Sequence, residues 1–329
     1  MKLRPLGKTG LMMSPIGLGC ATFGREIDEE TSWRVLDYAV EKGITFLDTA
    51  EAYGGGNSQQ YRIKEYGVKD RREVTVEMNS SENIIGRWME ARGCRDEVTL
   101  CTKVSTGAGP ENIRKALAAS LERLRTDSVD AYKIHSPDPN VPVGESLDAL
   151  NQEADAGRIV ALGCSNFTAD MLRESLEISR RRGYRCFEIT QPPYNLALRE
   201  YETDLFPLCR REQIAVTTYS PLGAGFFAGK YTAGMDELPS GTRFDIVPGH
   251  GDIYFHDRFF KIVEQLRAKS EETGIPMVRL AMAWAMSNPD VTAVLAGARK
   301  FDHIDNALES FRMNLGPELK AEMSSWGEI

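Results

Sequence analysis

Along the chain, short and wholly apolar runs alternate with longer stretches in which apolar residues recur every third or fourth position. The first pattern predicts strands covered on both faces, the second amphipathic helices. Two short runs, 3–6 and 11–14, flank Gly7-Lys8-Thr9-Gly10 and predict an N-terminal β-hairpin. Strands are then predicted at 16–20, 45–48, 98–103, 129–134, 159–164, 186–190, 214–218 and 291–295. Helical periodicity covers 29–42, 82–92, 110–124, 147–156, 169–181, 200–211, 258–273, 277–287 and 301–310. Trp33, Leu36, Ala39 and Val40 share one face of the first helix, and Gly43, Gly157 and Gly183 mark helix ends.

Eight apolar strands, each followed by a helix, describe a parallel sheet with both faces covered. In one chain of 329 residues they fit a (β/α)8 TIM barrel with an N-terminal hairpin, a single domain over 1–329. An open sheet of the Rossmann type would carry GxGxxG after its first strand, and Gly17-Leu18-Gly19 lacks the third glycine.

In a barrel the carboxyl ends of all strands lie on one rim, and chemistry collects there. Those ends are Asp48, Lys103, His135, Ser165-Asn166, Gln191 and Tyr219-Ser220, and the stretch TFLDTAEAYGGG at 45–56 adds Tyr53 in a glycine-rich loop. Asp48, Tyr53, Lys103 and His135 form a coherent acid–base group. A phenol titrates near ~10, and a buried ammonium beside it is expected to lower that value. Asp48 would hold Lys103 charged and oriented, and His135 would donate to a carbonyl oxygen. Singly, each has an ordinary structural role as a turn cap, an ion pair or a core histidine. Four such residues on one rim argue for a site.

Composition removes several classes. The net charge of −8 argues against nucleic acid or an anionic membrane as partner. No apolar run reaches membrane-span length, and MKLRPLGKTG lacks the apolar core of a signal peptide. Six cysteines with no CxxC pair, mostly in apolar surroundings, read as reduced thiols of a cytoplasmic protein. Four histidines without paired-ligand spacing argue against a metal-dependent barrel hydrolase, so no metal site is expected.

Seven motifs in order carry a specific resemblance: LDTAEAYGGG at 47–56, CTK at 101–103, KIHSPD at 133–138, GCSNF at 163–167, ITQPPYN at 189–195, YSPLGAGFFAGKY at 219–231 and LAGARKFDHIDNAL at 295–308. Over essentially its whole length the chain resembles the aldo-keto reductases, within the subgroup that has a long loop after the seventh strand. The resemblance implies an oxidoreductase in which Tyr53 is the general acid/base, tuned by Lys103 and Asp48, with His135 positioning a carbonyl. It implies NADP(H) as cofactor, with NAD(H) left open, and an aldehyde, ketone, sugar or polyol as substrate. Ser165, Asn166 and Gln191 would bind the carboxamide, Tyr219 would stack on the nicotinamide, and Gly19 and Asp48 would border it. Ser220, Leu222 and Gly223 would follow the pyrophosphate, with Lys230 and Arg243 as cationic contacts. Gly297, Arg299 and His303 would hold the adenosine 2′-phosphate, and Asn306 would lie at the adenine end. The same resemblance offers a regulatory alternative, a cofactor-binding subunit like the potassium-channel β-subunits, whose rim commonly lacks the histidine present here as His135. A homo-oligomer is left open.

Three features depart from the family pattern. Residues 57–80 look inserted between the glycine triplet 54–56 and the Ser81-Glu82 pair that usually opens the next helix. Their charged sequence is expected to form a loop over the active-site mouth, as a substrate wall or lid rooted on the glycines. At the adenine end Asn306 and Ala307 stand where Glu-Asn is usual. After the first strand, Cys20-Ala21 replaces threonine-tryptophan, which implies a roomier pocket with Phe23 as an apolar wall.

Overall fold

The computed structural model describes residues 1–235 and 237–326 of the chain. Strands β1 (Arg4–Pro5) and β2 (Met12–Met13) pair antiparallel, as the run–turn–run pattern predicts. Strands β3 (Ile16–Gly19), β4 (Phe46–Asp48), β5 (Thr99–Val104), β6 (Val129–Ile134), β7 (Ile159–Ser165), β8 (Ile189–Gln191), β9 (Ala215–Thr218) and β10 (Ala293–Gly297) close into a parallel barrel, β10 pairing with β3. The chain is a (β/α)8 TIM barrel carrying an N-terminal hairpin.

Two hydrophobic cores follow from this closure. Inside the barrel, Phe46, Ala131, Ala161, Ile189, Ala215, Ala293 and Leu295 pack together, and Leu6 and Met13 of the hairpin join them. Alanines on β6, β7, β9 and β10 leave room for the larger Phe46, Ile189 and Leu295, so the interior fills without a pore. Outside, Leu36, Trp88, Leu117, Leu150, Leu172 and Ile304 seat their helices on the outer face of the sheet. The helix Glu29–Glu41 begins where the Asp28 carboxylate accepts from the Thr31 amide at 2.9 Å. Ala169–Arg182 begins on Thr168 and ends on Gly183, at φ +67°.

Several boundaries moved for local reasons. The helix expected at 200–211 starts at Leu205, because Pro207 has no N–H and suits only a first turn; Glu200–Glu202 is a separate 3-10 turn. The expected strand at 186–190 joins the ladder at Ile189, while Phe187 packs edge-on to Phe167. Helices Gly55–Tyr66 and Pro317–Ser325 were not expected. The segment after β9 is no simple loop. It contains a 3-10 turn, Gly223–Ala228, and short helices at Arg243–Ile246 and Gly249–Tyr254. Phe226, Tyr231, Phe244, Tyr254 and Phe255 pack there ring against ring, giving the segment a small core of its own.

The contact between helices Ser80–Arg92 and Pro110–Leu124 depends on Gly86. A Cβ there would lie 2.1 Å from the Arg123 carbonyl oxygen and 2.8 Å from the Leu124 carbonyl carbon. Helix propensity alone favours alanine by ~1 kcal/mol, whereas forced overpacking costs ~1–3 kcal/mol, so packing decides the sign. Gly86→Ala is therefore expected to lower stability by about 1–2 kcal/mol in urea titrations. A gain in stability would show that the two helices separate at no cost.

Candidate active site

The carboxyl ends of β4, β5, β6 and β8 deliver one polar cluster into the barrel mouth. Asp48 ends β4, and closure sets Lys103 of β5 and Lys133 of β6 in register on adjacent strands. Lys103 Nζ donates to Asp48 Oδ1 at 2.5 Å and to the Thr49 carbonyl oxygen at 2.6 Å. Lys133 Nζ donates to Asp48 Oδ2 at 2.9 Å, and Gln191 Nε2 donates to the same oxygen at 3.0 Å. All four side chains are buried. Lys103 Nζ also sits 4.8 Å from the centre of the Tyr53 ring, whose edge meets His135 at a centroid separation of 5.6 Å.

These contacts set the ionisation of the cluster. Burial opposes a charge on Asp48, but Lys103 and Lys133 overcome it and hold the carboxyl down to about 2. Burial likewise works against the Lys103 ammonium, and Asp48 reverses it, so Lys103 is held above its ordinary value. Burial, with Lys103 adding, depresses His135 to about 3, which leaves the imidazole neutral. Tyr53 differs from expectation. Burial raises its phenol more than Lys103 lowers it, so the net direction is upward.

The rim continues as a chain of hydrogen bonds. Ser105 Oγ lies 2.6 Å from His135 Nδ1. Asn166 donates to the His135 carbonyl oxygen at 2.9 Å and accepts from the Tyr219 hydroxyl at 2.8 Å. Ser165 Oγ donates to the Gln191 carbonyl oxygen at 2.7 Å. Asn166 and Ser220 both have left-handed backbone, with φ +61° and +55°. Such conformations persist where the surroundings impose them, commonly at sites.

A cleft of about 860 Å³ runs from this cluster to the first turn of the helix Phe301–Arg312. Of the residues singled out from sequence, Gly19, Asp48, Tyr53, His135, Ser165, Asn166, Gln191, Tyr219, Ser220, Leu222, Lys230, Arg243, Gly297, Arg299, His303 and Asn306 line it. Lys103 lies behind Asp48. Gly223 is buried at φ +56° beneath Tyr254 and does not line the cleft. Phe23 is fully buried and forms no wall, whereas Ala21 and Thr22 do.

Five residues were not singled out. Lys133 stands two positions before His135, so strand alternation already put it on the same face. Ser105 stands two after Lys103. Lys300 follows Arg299 inside the motif at 295–308, whereas Glu26 and His250 line the cleft without any signal in the sequence.

The far half of the cleft is cationic. Lys230 is lowered by burial and by Arg299 and Lys300, and His303 falls to about 4 through burial and the same neighbours. Arg243 pairs with Glu26 at 3.3 Å, yet its Nε is buried without a partner, as is His250 Nδ1. Arg299 reaches across to the Gly241 carbonyl oxygen at 3.0 Å. Asn306 accepts from Arg279 Nε at 2.8 Å.

Residues 57–80 contribute nothing to the lining of this cleft. Gly55 and Gly56 open a helix and allow close approach. A Cβ on Gly55 would lie 1.9 Å from the Thr75 carbonyl oxygen, so the glycine is a contact point here and not a hinge. The segment grips the strap over the cleft, residues 241–250. Arg62, buried, forks onto Glu73 and donates to the Ile246 carbonyl oxygen at 3.3 Å, and Arg72 pairs with Asp245 at 3.1 Å. Val74 N–H meets the Arg25 carbonyl oxygen at 2.9 Å on the opposite side.

The chain belongs to the aldo/keto reductase family, whose sequence model matches residues 15–327. It is 29% identical to an uncharacterized oxidoreductase, YrpG, of Bacillus subtilis, over 97% of this chain and 94% of that protein. It is 30% identical to the NADH-specific methylglyoxal reductase of Escherichia coli, over 96% and 95%. A probable voltage-gated potassium channel subunit beta of Arabidopsis thaliana is 29% identical, over 94% and 91%. The chain is thus an oxidoreductase of this family. No helix among the described residues is long and apolar enough to cross a membrane. The described residues include no group of three or more potential metal ligands.

Two outcomes follow from this geometry. Asp48→Asn leaves two buried ammonium groups without their carboxylate, and is expected to cost about 3–5 kcal/mol near neutral pH. In the fold the Asp48 carboxyl titrates at about 2, against ~3.9 for an unfolded aspartate, so its contribution is complete above about pH 4 and vanishes as pH falls toward 2. That shift is linked to about 2.6 kcal/mol, so in denaturant melts the gap between wild type and variant should narrow by about that much over the window, and a gap that stays constant would contradict the assignment. Separately, Arg62→Met should speed amide exchange at least about tenfold in 241–250 as well as in 67–79, the ratio produced by ~1.4 kcal/mol. Acceleration confined to 67–79 would mean that the strap holds itself.

Proposed function

We propose that the chain is an NADP(H)-dependent oxidoreductase acting on an aldehyde or ketone, or on the corresponding alcohol, sugars and polyols included. The observation that carries this reading is the continuity of one cleft between an acid–base cluster and a cationic end. Arg299 and Lys300 lower Lys230, and with Lys230 they lower His303 in spite of Asp302, which pairs with Lys300 at 2.9 Å, so positive charge prevails at this end. With the unpartnered Arg243 Nε, that end suits the phosphates of a dinucleotide. Ser165, Asn166 and Gln191 offer both donors and acceptors, as a carboxamide requires, and Tyr219 offers a ring face. Arg299 and His303 favour a 2′-phosphate and hence NADP(H), with Gly297 beside them. Asn306 faces the adenine end. The NADH-specific relative makes that preference a matter for measurement.

When bound, the nicotinamide supplies or accepts two electrons and a hydrogen at carbon. The chain's own residues handle the proton and the oxygen. Burial keeps the Tyr53 phenol protonated at neutral pH, ready to donate to a carbonyl oxygen that gains charge. Lys103, oriented by Asp48, stabilises the phenolate that results. His135 is neutral. In the tautomer in which Nδ1 accepts from Ser105, the ring proton sits on Nε2 and holds the substrate oxygen beside Tyr53. We assign residues 57–80 the role of a brace on the strap within a single-domain barrel.

A second reading, a cofactor-binding subunit of a channel, draws on the plant relatives. One assay separates the two, following cofactor absorbance against a panel of carbonyl compounds and polyols. Multiple turnovers favour the enzyme, and oxidation that stops at one equivalent favours the subunit. Tyr53→Phe should lower kcat at least about a hundredfold, the lower range of a general-acid contribution, and retain cofactor binding. Arg299→Ala should raise KM for NADPH about tenfold, near the value of one charge-assisted contact, with little change for NADH. Robust turnover by the first variant removes Tyr53 as the proton donor. An equal effect on both cofactors in the second removes the 2′-phosphate assignment.

A further inference from the structure

Lys133 is a buried charge that the proposed acid–base chemistry does not require. Its side chain is fully buried. Its stem occupies room left by Gly163 on β7, where an added Cβ would come within 2.7 Å of Lys133 Cγ and 2.6 Å of Ile189 Cγ2. Its ammonium group meets Asp48 Oδ2 at 2.9 Å and lies 5.6 Å from the centre of the Phe46 ring. Two ammonium groups therefore share one carboxylate. The other titratable groups around them add no second anion. Burial raises the Cys101 thiol to about 11 and the Cys164 thiol to about 12, and it raises Cys20 and Tyr53 as well, while His135 stays neutral. This layer thus carries one surplus positive charge, and Asp48, Gln191 and Ser165 of the same layer line the cleft.

We propose that Lys133 is a specificity-determining residue that biases the cleft toward the reduced form of the nicotinamide cofactor. The inference rests on the nicotinamide reading above. In the overall reaction a reduced cofactor, a proton and a carbonyl compound give an oxidised cofactor and an alcohol. The reduced ring is uncharged and the oxidised ring carries one positive charge. Lys103 and Lys133 divide the single charge of Asp48 between them, so the layer keeps one net positive charge, and removing Lys133 removes it; that field penalises a cationic ring while leaving a neutral one nearly unaffected. The buried charge thereby poises the chain as a carbonyl reductase.

The test is fluorescence titration of the full chain with NADPH and with NADP⁺, repeated with NADH and NAD⁺, for wild type, Lys133→Met and Lys133→Gln. Wild type should bind the reduced form at least about tenfold more tightly, and both variants should lose about tenfold of that ratio, mainly by gaining affinity for the oxidised form. Glutamine keeps a donor for Asp48 without the charge. A wild-type ratio in Lys133→Gln would therefore trace the effect to hydrogen bonding and overturn the proposal, as would an unchanged ratio in Lys133→Met. A wild-type ratio near one overturns it even if neither variant folds. If wild type binds neither form, the nicotinamide reading fails first and the inference with it, whereas binding of both with an insensitive ratio defeats the inference alone.

Discussion

Asp48 sits between two buried ammonium groups, and the barrel mouth is organised by that arrangement. Removing charges from water costs several kcal/mol per ion, so such a cluster survives only when each member is well partnered. Asp48 accepts from Lys103, Lys133 and Gln191, which arrive on three different strands, and Lys103 has a second acceptor in the Thr49 carbonyl. The interaction is therefore also a statement about closure, since β4, β5, β6 and β8 must be in register for the atoms to meet. Its consequences reach outward. Burial keeps His135 neutral with the positive layer adding to it, and the same layer partly offsets the burial that raises Tyr53, so burial sets the state of both rim residues and the charges beneath adjust it.

A second set of ion pairs works at the edge of the cleft. In residues 57–80 the usual distribution of polarity is inverted. Arg62 and Glu73 are buried, while Tyr61 and Val76 are half exposed or more, at 50% and 52%. Arg62, Arg72 and Glu73 are spent on fastening the segment, while Lys64, Glu65, Lys69 and Arg71 stay exposed. Arg62 and Arg72 hold the strap from one side, and Arg299 holds it from the other through the Gly241 carbonyl. The cleft is thus bounded by a strap that contributes Phe244 to the aromatic core of the segment after β9 and is held by arginines of two other segments.

Much of this was legible in the residues. Apolar runs and helical periodicity carried the barrel, because strands covered on both faces leave an unmistakable pattern. Asp48, Lys103, His135, Gln191 and Tyr219 were legible as rim residues because barrel topology converts a position at a strand end into a position in space. Lys133 was within reach by alternation and passed over, since a lysine inside a strand reads as an exposed residue. Glu26 and His250 were not legible. Glu26 sits in a turn and His250 in a short helix that had no signal of its own, and only contacts between distant parts of the chain bring them to the cleft.

The sequence by itself therefore determined the architecture and most of the polar residues that meet at the rim, because both follow from local periodicity and strand ends. The tertiary structure alone decided three things. It set the sign of the Tyr53 shift, where burial outweighs a neighbouring ammonium. It gave Lys133 its place on Asp48 and turned residues 57–80 from an expected loop into a helix, up to Tyr66, and an irregular arm that together clamp the strap. The reason is common to all three: burial and electrostatic balance are sums over neighbours from several strands, and no single stretch of sequence contains them.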